Sequence, residues 1–258
     1  MTLAPPERRA PAGANPDLLP LLGRTPLARI TTDLPHGHPG FWAKLECLAA
    51  GGMKARAAMS MLTGARRRGE LRPGAPVVES TSGTMGIGLA FAGQTLGHPV
   101  ILVGDTELEP TMRQLLRAYG ARLELVDTPA RHGGWQAARI TRLREVLART
   151  DGAYWPDQYN NPDNPSGYRS MAAELIGQLD HLDVLVCSVG TGGHSTGLVG
   201  PLRRRWPRLK VIGVDSVGSA IFGQPTRARR LWGGGPPPQP PHGRPRRFGA
   251  VGGGGAAG

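Results

Sequence analysis

The sequence has few of the features that mark secreted, membrane-bound or metal-binding proteins. Its only cysteines, Cys47 and Cys187, are too few for a disulfide framework and lack the paired spacing of a zinc site. No apolar stretch is long enough to cross a bilayer, and the proline-rich start lacks the apolar segment of a signal peptide. We therefore expect a soluble, cytoplasmic protein with reduced thiols and no membrane partner.

The histidine spacing typical of metal sites is also missing. The seven histidines include no pair spaced four residues apart, so we expect no bound metal.

Acidic residues are absent after Asp215, and this explains much of the formal net charge of +12. Because this basicity belongs largely to the end of the chain, we do not expect the folded part to bind nucleic acid. Six arginines supply the unbalanced charge: Arg227, Arg229, Arg230, Arg244, Arg246 and Arg247.

Short apolar runs alternate with longer helical patterns from about residue 40 onward. Runs such as PVILVG and DVLVCSV are continuously apolar, which is typical of strands buried on both faces. Gly69, Gly97 and Gly120 each follow a helical pattern, where a left-handed C-terminal cap favours glycine. The pattern predicts an α/β fold whose parallel sheets are covered by helices in three layers, arranged as two lobes.

Composition divides the chain into four segments. Residues 1–17 are rich in proline and charge, and we expect them to be disordered. Residues 18–150 are expected to form an N-terminal α/β lobe, and residues 151–224 part of a C-terminal α/β lobe. Residues 225–258 are dominated by Gly, Pro, Arg and Ala, so this tail is also expected to be disordered.

The composition of the tail has two explanations. Its four main residue types have GC-rich codons, so a shifted reading frame in a GC-rich gene would produce it. A natural disordered extension would have a similar composition. The nucleotide sequence around codon 225 distinguishes these hypotheses.

Three glycine-rich loops stand where a strand pattern gives way to a helix pattern: AAGGMKAR, STSGTMGIG and SVGTGGHSTG. Ligands of open α/β sheets bind at the carboxyl ends of strands, so the loops are expected to face one crevice. In the third loop, glycines and a helix N-terminus offer N–H groups to a phosphate. A tight turn that requires small residues is the alternative. The residues of this loop are Gly190, Thr191, Gly192, Gly193 and His194.

The second loop combines hydroxyl groups and glycines at another helix start. Thr81, Ser82 and the backbone amides around Gly83 are suited to bind a carboxylate. The alternative is structural, because Ser82 or Thr84 would also cap the helix that follows.

The first loop contains Lys54 at the start of an apolar helix. The helix dipole disfavours a lysine at this position, and partial burial would lower the lysine pKa. A neutral amine of this kind attacks carbonyl groups. An ordinary solvated lysine is the alternative, and the local sequence favours it.

Gln158 lies in the irregular segment YWPDQYNNPDN. Long loops between elements carry many binding residues, so Gln158 is a candidate for lining the crevice. An amide that stabilises a turn is the alternative.

Taken in order and spacing, LLGRTPLARI, AKLE, the Lys54 loop, ESTSGTMGIGLA, WPDQYNNPDN and VGTGGHSTG resemble the cysteine synthase family of fold type II pyridoxal-phosphate enzymes. The resemblance covers about residues 18–224. It implies that Lys54 holds pyridoxal phosphate as a Schiff base and moves the α-proton of the substrate. It also implies that the loop Gly190–His194 binds the cofactor phosphate. The substrate carboxylate would be bound by Thr81, Ser82, Gly83 and Gln158.

The chemistry implied by the resemblance is β-elimination or β-replacement on a cysteine-like amino acid. The α-proton is removed and the β-substituent leaves, with the cofactor ring as electron sink. Addition of sulfide then gives cysteine, whereas hydrolysis gives pyruvate and ammonia. Relatives are homodimers, so the resemblance also implies a homodimer.

The sequence departs from the family pattern at two places near the implied site. Thr84 stands where an asparagine normally binds the ring hydroxyl of the cofactor, so Thr84 is assigned to that contact. With these departures the sequence resembles a branch of the family related to cysteine desulfhydrases. Whether the enzyme synthesises cysteine or releases sulfide from it stays open. Around Lys54, four positions of the pattern N-P-x-x-S-x-K-D-R are replaced, by Leu48, Ala49, Gly52 and Ala55.

The family continues well beyond residue 224, so the chain resembles a truncated or frameshifted member. Two alternatives stay open. A nucleotide- or dinucleotide-binding protein would use the third loop for phosphate and Asp215 for a ribose, although Ser195 stands where G-x-G-x-x-G requires its third glycine. An inactive remnant of the pyridoxal-phosphate family would keep the fold without the activity.

Overall fold

The computed structural model of the protein describes residues 22–32, 37, 39–81, 83–218 and 221–223. The disorder predicted for residues 1–17 and 225–258 therefore lies outside the described residues, and so does Ser82. In the described parts of the chain, no helix combines the length and the apolar character that a bilayer span requires.

Strands and helices alternate through the described chain. A short hairpin comes first, in which β1 (Leu27–Ile30) pairs antiparallel with β2 (Phe41–Lys44). The later strands are β3 (Val77–Ser80), β4 (Val100–Asp105), β5 (Arg122–Val126), β6 (Val184–Ser188) and β7 (Lys210–Val214). The helices are α1 (Ala55–Arg68), α2 (Thr84–Leu96), α3 (Pro110–Ala118), α4 (Gly134–Ala148), α5 (Asp163–Ser166), α6 (Arg169–Gln178) and α7 (Gly193–Arg205).

Both larger sheets are parallel. Strands β3, β4 and β5 form one sheet in sequence order, and β6 pairs with β7 in another. Every residue of β3 and β4 is buried, as expected for strands that carry helices on both faces. The predicted parallel α/β fold is confirmed.

The two faces of the β3–β4–β5 sheet follow the period of two along each strand. Val78, Ile101 and Val103 pack with Leu143 and Val146 of helix α4. Residues of the opposite parity, including Val77, Val100 and Leu102, belong to the main core formed with α1 and α2. The sheet is thus the middle of three layers, as the continuous apolar runs predicted. Gly69 and Gly97 cap α1 and α2 in the left-handed conformation, as also predicted.

The segment predicted to be irregular, YWPDQYNNPDN, runs alongside the free edge of β3. The N–H of Val78 donates to the carbonyl of Tyr154 at 2.9 Å, and the N–H of Tyr154 donates to the carbonyl of Pro76 at 2.8 Å. This pairing carries Gln158 to the carboxyl end of β3. The short helix α5 follows, and the sequence pattern did not reveal it.

A buried ion-pair cluster fixes the start of helix α1. Arg56 is only 5% exposed and donates to Glu46 at 2.7 Å, to Glu174 at 2.8 Å and to the hydroxyl of Ser170 at 3.0 Å. Lys44 of β2 forms a second ion pair with Glu174 at 2.7 Å. The cluster thus ties β2, α1 and α6 together two residues after Lys54.

We expect Arg56→Met to destabilise the protein by roughly 3–5 kcal/mol at neutral pH, because two carboxylates lose their main partner. Burial opposes the charge of Glu174, but hydrogen bonds from Arg56 and Lys44 outweigh it and lower the pKa of Glu174 from 4.5 to about 2. The ion pairs of Glu174 therefore add to the free energy of unfolding above about pH 4.5, and this stabilisation is lost as the pH falls toward 2. The difference in the free energy of unfolding between wild type and Arg56→Met should therefore be smaller in acid.

Urea unfolding near pH 7, where the ion pairs are fully formed, and near pH 3, where they are partly lost, measures this effect. Arg67→Met is the matched control, because Arg67 is an exposed arginine on the same helix. A loss of stability that is equal at both pH values would contradict the assignment to the ion pairs.

Candidate active site

Three glycine-rich turns lie at the starts of helices α1, α2 and α7. Lys54 ends a single 3-10 turn, Gly52–Lys54, and is the N-cap residue of α1. Gly83 is the N-cap residue of α2, directly after β3, and Gly192 is the N-cap residue of α7, directly after β6. At none of these three ends does the N-cap residue itself form a side-chain cap. Apart from the N–H groups that donate to the Thr81 and Thr191 hydroxyls, the first N–H groups of these helices are therefore available to a ligand.

The backbone of Lys54 lies directly against helix α2. A Cβ atom at Gly88 would lie 2.8 Å from both the carbonyl carbon and the carbonyl oxygen of Lys54. Gly51 has a left-handed φ of 72°, and a Cβ atom there would lie 2.7 Å from Phe91. The loop is thus held between helices by glycines that leave no space for side chains, which fixes the start of the Lys54 side chain.

The Lys54 amine is partly buried and has an unusual electrostatic environment. Burial lowers the pKa of Lys54 from 10.5 to about 8. Among the described residues, no carboxylate forms an ion pair with it. The ordinary solvated lysine favoured by the local sequence is therefore not what the structure contains.

The lowered pKa predicts that Lys54 reacts with an acylating reagent at a rate that rises through about pH 8 and then levels off. The reactive neutral amine forms above that pH, well before an ordinary lysine near pH 10.5. Competitive acylation of the cofactor-free protein, read by peptide mass spectrometry, measures the profile. Lys210, which lies exposed at the start of β7, is the internal control. Parallel profiles for the two lysines would contradict the prediction.

The third loop forms a tight glycine turn at the N-terminus of α7. Gly192 has a left-handed φ of 78°, and the N–H of Gly193 donates to the Thr191 hydroxyl at 3.4 Å. A Cβ atom at Gly193 would lie 2.2 Å from Oδ1 of Asn164, so only glycine fits there. The 13-residue helix adds its positive dipole end to the uncapped N–H groups. This donor set suits a phosphate.

His194 connects this cradle to the Lys54 loop. Burial and, secondarily, the positive charge of Lys54 lower the pKa of His194 to about 4, so the imidazole is neutral at pH 7. The ring of Tyr168 meets His194 edge-on, with centroids 5.8 Å apart, and the Tyr168 hydroxyl donates to the carbonyl of Met53 at 3.4 Å. The Lys54 amine and the α7 N-terminus thus lie close enough to interact electrostatically.

In the second loop, the hydroxyl that accepts hydrogen bonds from the backbone is that of Thr81, not that of Thr84. Thr81 accepts hydrogen bonds from the N–H groups of Gly83 at 3.0 Å and of Gly86 at 3.2 Å. Its own hydroxyl proton is therefore left to be donated. The alternative that Thr84 caps α2 is wrong, because Gly83 holds the N-cap position and Thr84 is already the first residue of the helix. Thr84 itself is exposed in the first turn.

Gln158 is brought to the same end of the sheet. It is 7% exposed, and its Nε2 donates to the carbonyl of Ser80, the residue before the Thr81 loop, at 3.0 Å. Nδ2 of Asn164 donates to the carbonyl of Gln158 at 2.7 Å and reaches the Thr191 hydroxyl at 3.4 Å. A chain of buried polar groups thus links the second loop to the third through Gln158 and Asn164.

Four residues of this region were not found from the sequence: Glu79, Gly88, Asn164 and Tyr168. Gly88 and Asn164 matter because of what they touch across the fold, and a local pattern contains no sign of that. Glu79 did carry a signal, since a carboxylate inside an apolar strand pattern requires buried partners.

Asp215, assigned to a ribose in the nucleotide-binding alternative, directly follows β7. Its Oδ1 accepts a hydrogen bond from the N–H of Ser216 at 2.7 Å. Its Oδ2 is buried and has no hydrogen-bond partner among the described residues. Asp215 therefore keeps a free acceptor at the carboxyl end of the second sheet.

The side chains present fit pyridoxal phosphate, which carries an aldehyde and a phosphate. The aldehyde requires an amine that is neutral near pH 7 to 8, and burial gives Lys54 a pKa of about 8. The phosphate requires an uncapped helix N-terminus with space around its backbone, and the α7 loop provides one.

Known proteins are similar to this chain over most of its length. N-(2-amino-2-carboxyethyl)-L-glutamate synthase from Cupriavidus metallidurans is 39% identical over 222 residues, covering 85% of this chain and 65% of that protein. The chain thus spans just under two thirds of the length of that curated relative.

Two solved structures show the same fold. A hydrogen sulfide-producing enzyme from Fusobacterium nucleatum superposes with a TM-score of 0.77 at 27% identity, covering 85% of this chain and 72% of that chain. Cysteine synthase from Entamoeba histolytica superposes with a TM-score of 0.76 at 26% identity, covering 91% of this chain and 70% of that chain.

The resemblance to enzymes of the cysteine synthase type is therefore confirmed. A model of the family described as pyridoxal-phosphate dependent enzyme matches residues 18–237, which decides against the nucleotide-binding alternative. With a match over most of its length, the chain belongs to the pyridoxal-phosphate dependent enzyme family.

Proposed function

We propose that the protein catalyses β-replacement on an α-amino acid that carries a leaving group at its β-carbon. The observation that supports this most directly is the position of Lys54 between two kinds of anion-binding loop. The α7 N-terminus is suited to the cofactor phosphate, and the Thr81 loop is suited to a carboxylate. β-Elimination from the same class of substrate uses the same residues up to the loss of the leaving group.

We assign the following roles in cofactor binding and proton transfer. Bound pyridoxal phosphate supplies an electron-withdrawing ring that stabilises negative charge at the α-carbon of the substrate. The backbone N–H groups at Gly192, Gly193 and His194 hold the phosphate. The Lys54 amine, with its pKa of about 8, can accept and return a proton near neutral pH.

Thr81, Ser82 and Gln158 would orient the amino-acid carboxylate at the carboxyl end of β3. The Thr81 hydroxyl is fixed by two amides of its own loop, so it can donate to the carboxylate without reorganising. Neutral His194 and the buried Tyr168 beside it cover the Lys54 side of the site and limit the access of water.

We propose an amine as the nucleophile. The name of the Cupriavidus relative describes a three-carbon amino-acid unit attached to the nitrogen of glutamate, which is the product of β-replacement by an amino group. This relative is 39% identical, whereas the Fusobacterium and Entamoeba structures, whose names refer to sulfide and cysteine, are 27% and 26% identical. A glutamate-like amino acid is therefore a better candidate than sulfide for the second substrate.

The test uses the full chain reconstituted with pyridoxal phosphate and given O-acetylserine, whose acetate is a good leaving group. Glutamate or sulfide is added as the second substrate, and the products are identified by mass spectrometry. We expect the glutamate adduct to exceed cysteine by at least about tenfold at equal nucleophile concentration. Cysteine as the main product would overturn the choice of nucleophile.

Two further outcomes separate the alternatives. Release of sulfide and pyruvate from cysteine, without any adduct, would favour the desulfhydrase assignment. Binding of the cofactor without turnover of any of these substrates would favour the inactive remnant. Absence of cofactor binding would overturn the proposed site as a whole.

A further inference from the structure

Glu79 is a buried carboxylate for which the proposed reaction has no use. It is the third residue of β3, is 2% exposed, and pairs with no cation among the described residues. Burying a carboxylate without a cation is costly unless hydrogen bonds compensate. The position of those hydrogen bonds therefore indicates what the charge is retained for.

Three N–H groups compensate the charge of Glu79. Its Oε1 accepts from the N–H of Ser80 at 2.8 Å and from the indole N–H of Trp155 at 3.1 Å. Its Oε2 accepts from the N–H of Gln158 at 3.1 Å. Two of these donors thus come from the segment that crosses the edge of β3, and the third leads into the Thr81 loop.

Gln158 forms further hydrogen bonds, to β3 and to Asn164. Its side-chain amide donates to the carbonyl of Ser80 at 3.0 Å, while its own carbonyl accepts from Asn164 at 2.7 Å. The backbone of Gln158 is therefore held on both sides, by Glu79 through its N–H and by Asn164 through its carbonyl. Its side chain is held against the strand end from which the Thr81 loop begins.

We propose that Glu79 is a positioning residue for substrate binding, whose carboxylate holds Gln158 against the strand end that leads into the carboxylate-binding loop. This inference rests on the proposed function, because it requires Gln158 and the Thr81 loop to bind the carboxylate of an amino acid. Glu79 acts through Gln158 and touches neither the substrate nor the cofactor.

Protonation of Glu79 would remove an acceptor from this arrangement. Burial raises the pKa of Glu79 to about 7, against the hydrogen bonds from Ser80, Gln158 and Trp155, and the nearby charge of Asp157 adds to the rise. Tyr159 from the same segment also interacts electrostatically with Glu79. Arg139 of α4 acts on Tyr159 and is ion-paired with Asp105 of β4. Substrate binding should therefore weaken as the pH falls through about 7.

The experiment compares Glu79→Gln with wild type as holoenzyme, using O-acetylserine as the varied substrate. Glutamine keeps the size of the side chain but places an NH₂ group against one of the three donors. We expect KM to rise about tenfold with kcat within about threefold, and the cofactor dissociation constant to change by less than about twofold. Glu145→Gln, on the exposed side of α4, is the matched control and should change none of these.

A double-mutant cycle tests whether Glu79 acts through Gln158. Gln158→Ala alone should raise KM at least as much as Glu79→Gln, and adding the second change should raise it by less than about twofold more. Independent, multiplying effects would overturn the inference, and so would parallel losses of cofactor and substrate binding in Glu79→Gln. An unchanged KM in Gln158→Ala would instead overturn the carboxylate site in the proposed function.

The wild-type pH profile provides a readout even if Glu79→Gln does not fold. KM for O-acetylserine should rise about tenfold between about pH 8 and pH 6, while the dissociation constant of the cofactor changes less. A flat KM over this range would overturn the inference. A folded Glu79→Gln variant should have lost this dependence.

Discussion

Replacing Lys54 with alanine is expected to abolish covalent attachment of pyridoxal phosphate and to lower turnover by roughly 10³-fold or more. The protein has only two other lysines, and neither matches the environment of Lys54. Lys44 is engaged in an ion pair with Glu174, and Lys210 is exposed on β7. Only Lys54 combines a lowered pKa with a position beside the α7 N-terminus.

Borohydride reduction of the holoprotein, followed by peptide mapping, measures this directly. The reduced cofactor should be found on the peptide that contains Lys54, and Lys210→Arg should leave its yield unchanged. An adduct on Lys44 or Lys210 in the wild-type protein would refute the assignment of Lys54. Folding of Lys54→Ala should be retained, because the amine has no acidic partner in the described part of the chain and its removal relieves a desolvation cost.

Replacing Gly88 with alanine is expected to lower turnover by about 100-fold through displacement of Lys54. The added Cβ atom would lie 2.8 Å from the carbonyl carbon and oxygen of Lys54 and 3.0 Å from the nitrogen of Ala55. These are backbone atoms, so the conflict can be relieved only by moving the turn that carries the amine. We also expect a loss of stability of about 1–3 kcal/mol from this overpacking.

Gly177→Ala is the matched control for this prediction. Gly177 lies in helix α6, and an added Cβ atom would have no other atom within 4 Å. That variant should be slightly more stable, by roughly 0.5–1 kcal/mol, with unchanged turnover. If Gly88→Ala keeps wild-type turnover and the Lys54 adduct forms at the wild-type rate, the close contact does not position the amine.

Several expectations stay predictions. The lobe boundaries at residues 18–150 and 151–224, the homodimer and the cytoplasmic location belong to this group. So do the roles assigned to Thr84 and Ser82, and the choice between synthesis and desulfhydration. The substrate assay, the borohydride experiment and the measurement of molecular mass in solution address them separately.

The parallel sheets could be predicted because each strand leaves a local signature. An apolar run without alternation, such as VILVG in β4, is typical of a strand covered on both faces, whatever lies next to it. The glycines that end α1 and α2 are equally local, since a left-handed cap excludes most side chains at that residue alone. Strand β1 was missed because LARI is short and its pairing with FWAK is set by contacts across the hairpin.

The order of the three glycine-rich loops in the sequence, together with the parallel sheets, determined that Lys54, the Thr81 loop and the Gly190–His194 loop would lie at helix starts. Only the tertiary structure decided that Lys54 would be an amine of lowered pKa without an ion pair among the described residues, since its burial depends on residues far away in sequence. The tertiary structure alone also decided three other contacts: that of Gly88 with the Lys54 backbone, that of Asn164 with two loops and that of Glu79 with Gln158. Each depends on the packing of segments that are distant in the chain, because close packing and buried hydrogen bonds are properties of the assembled fold.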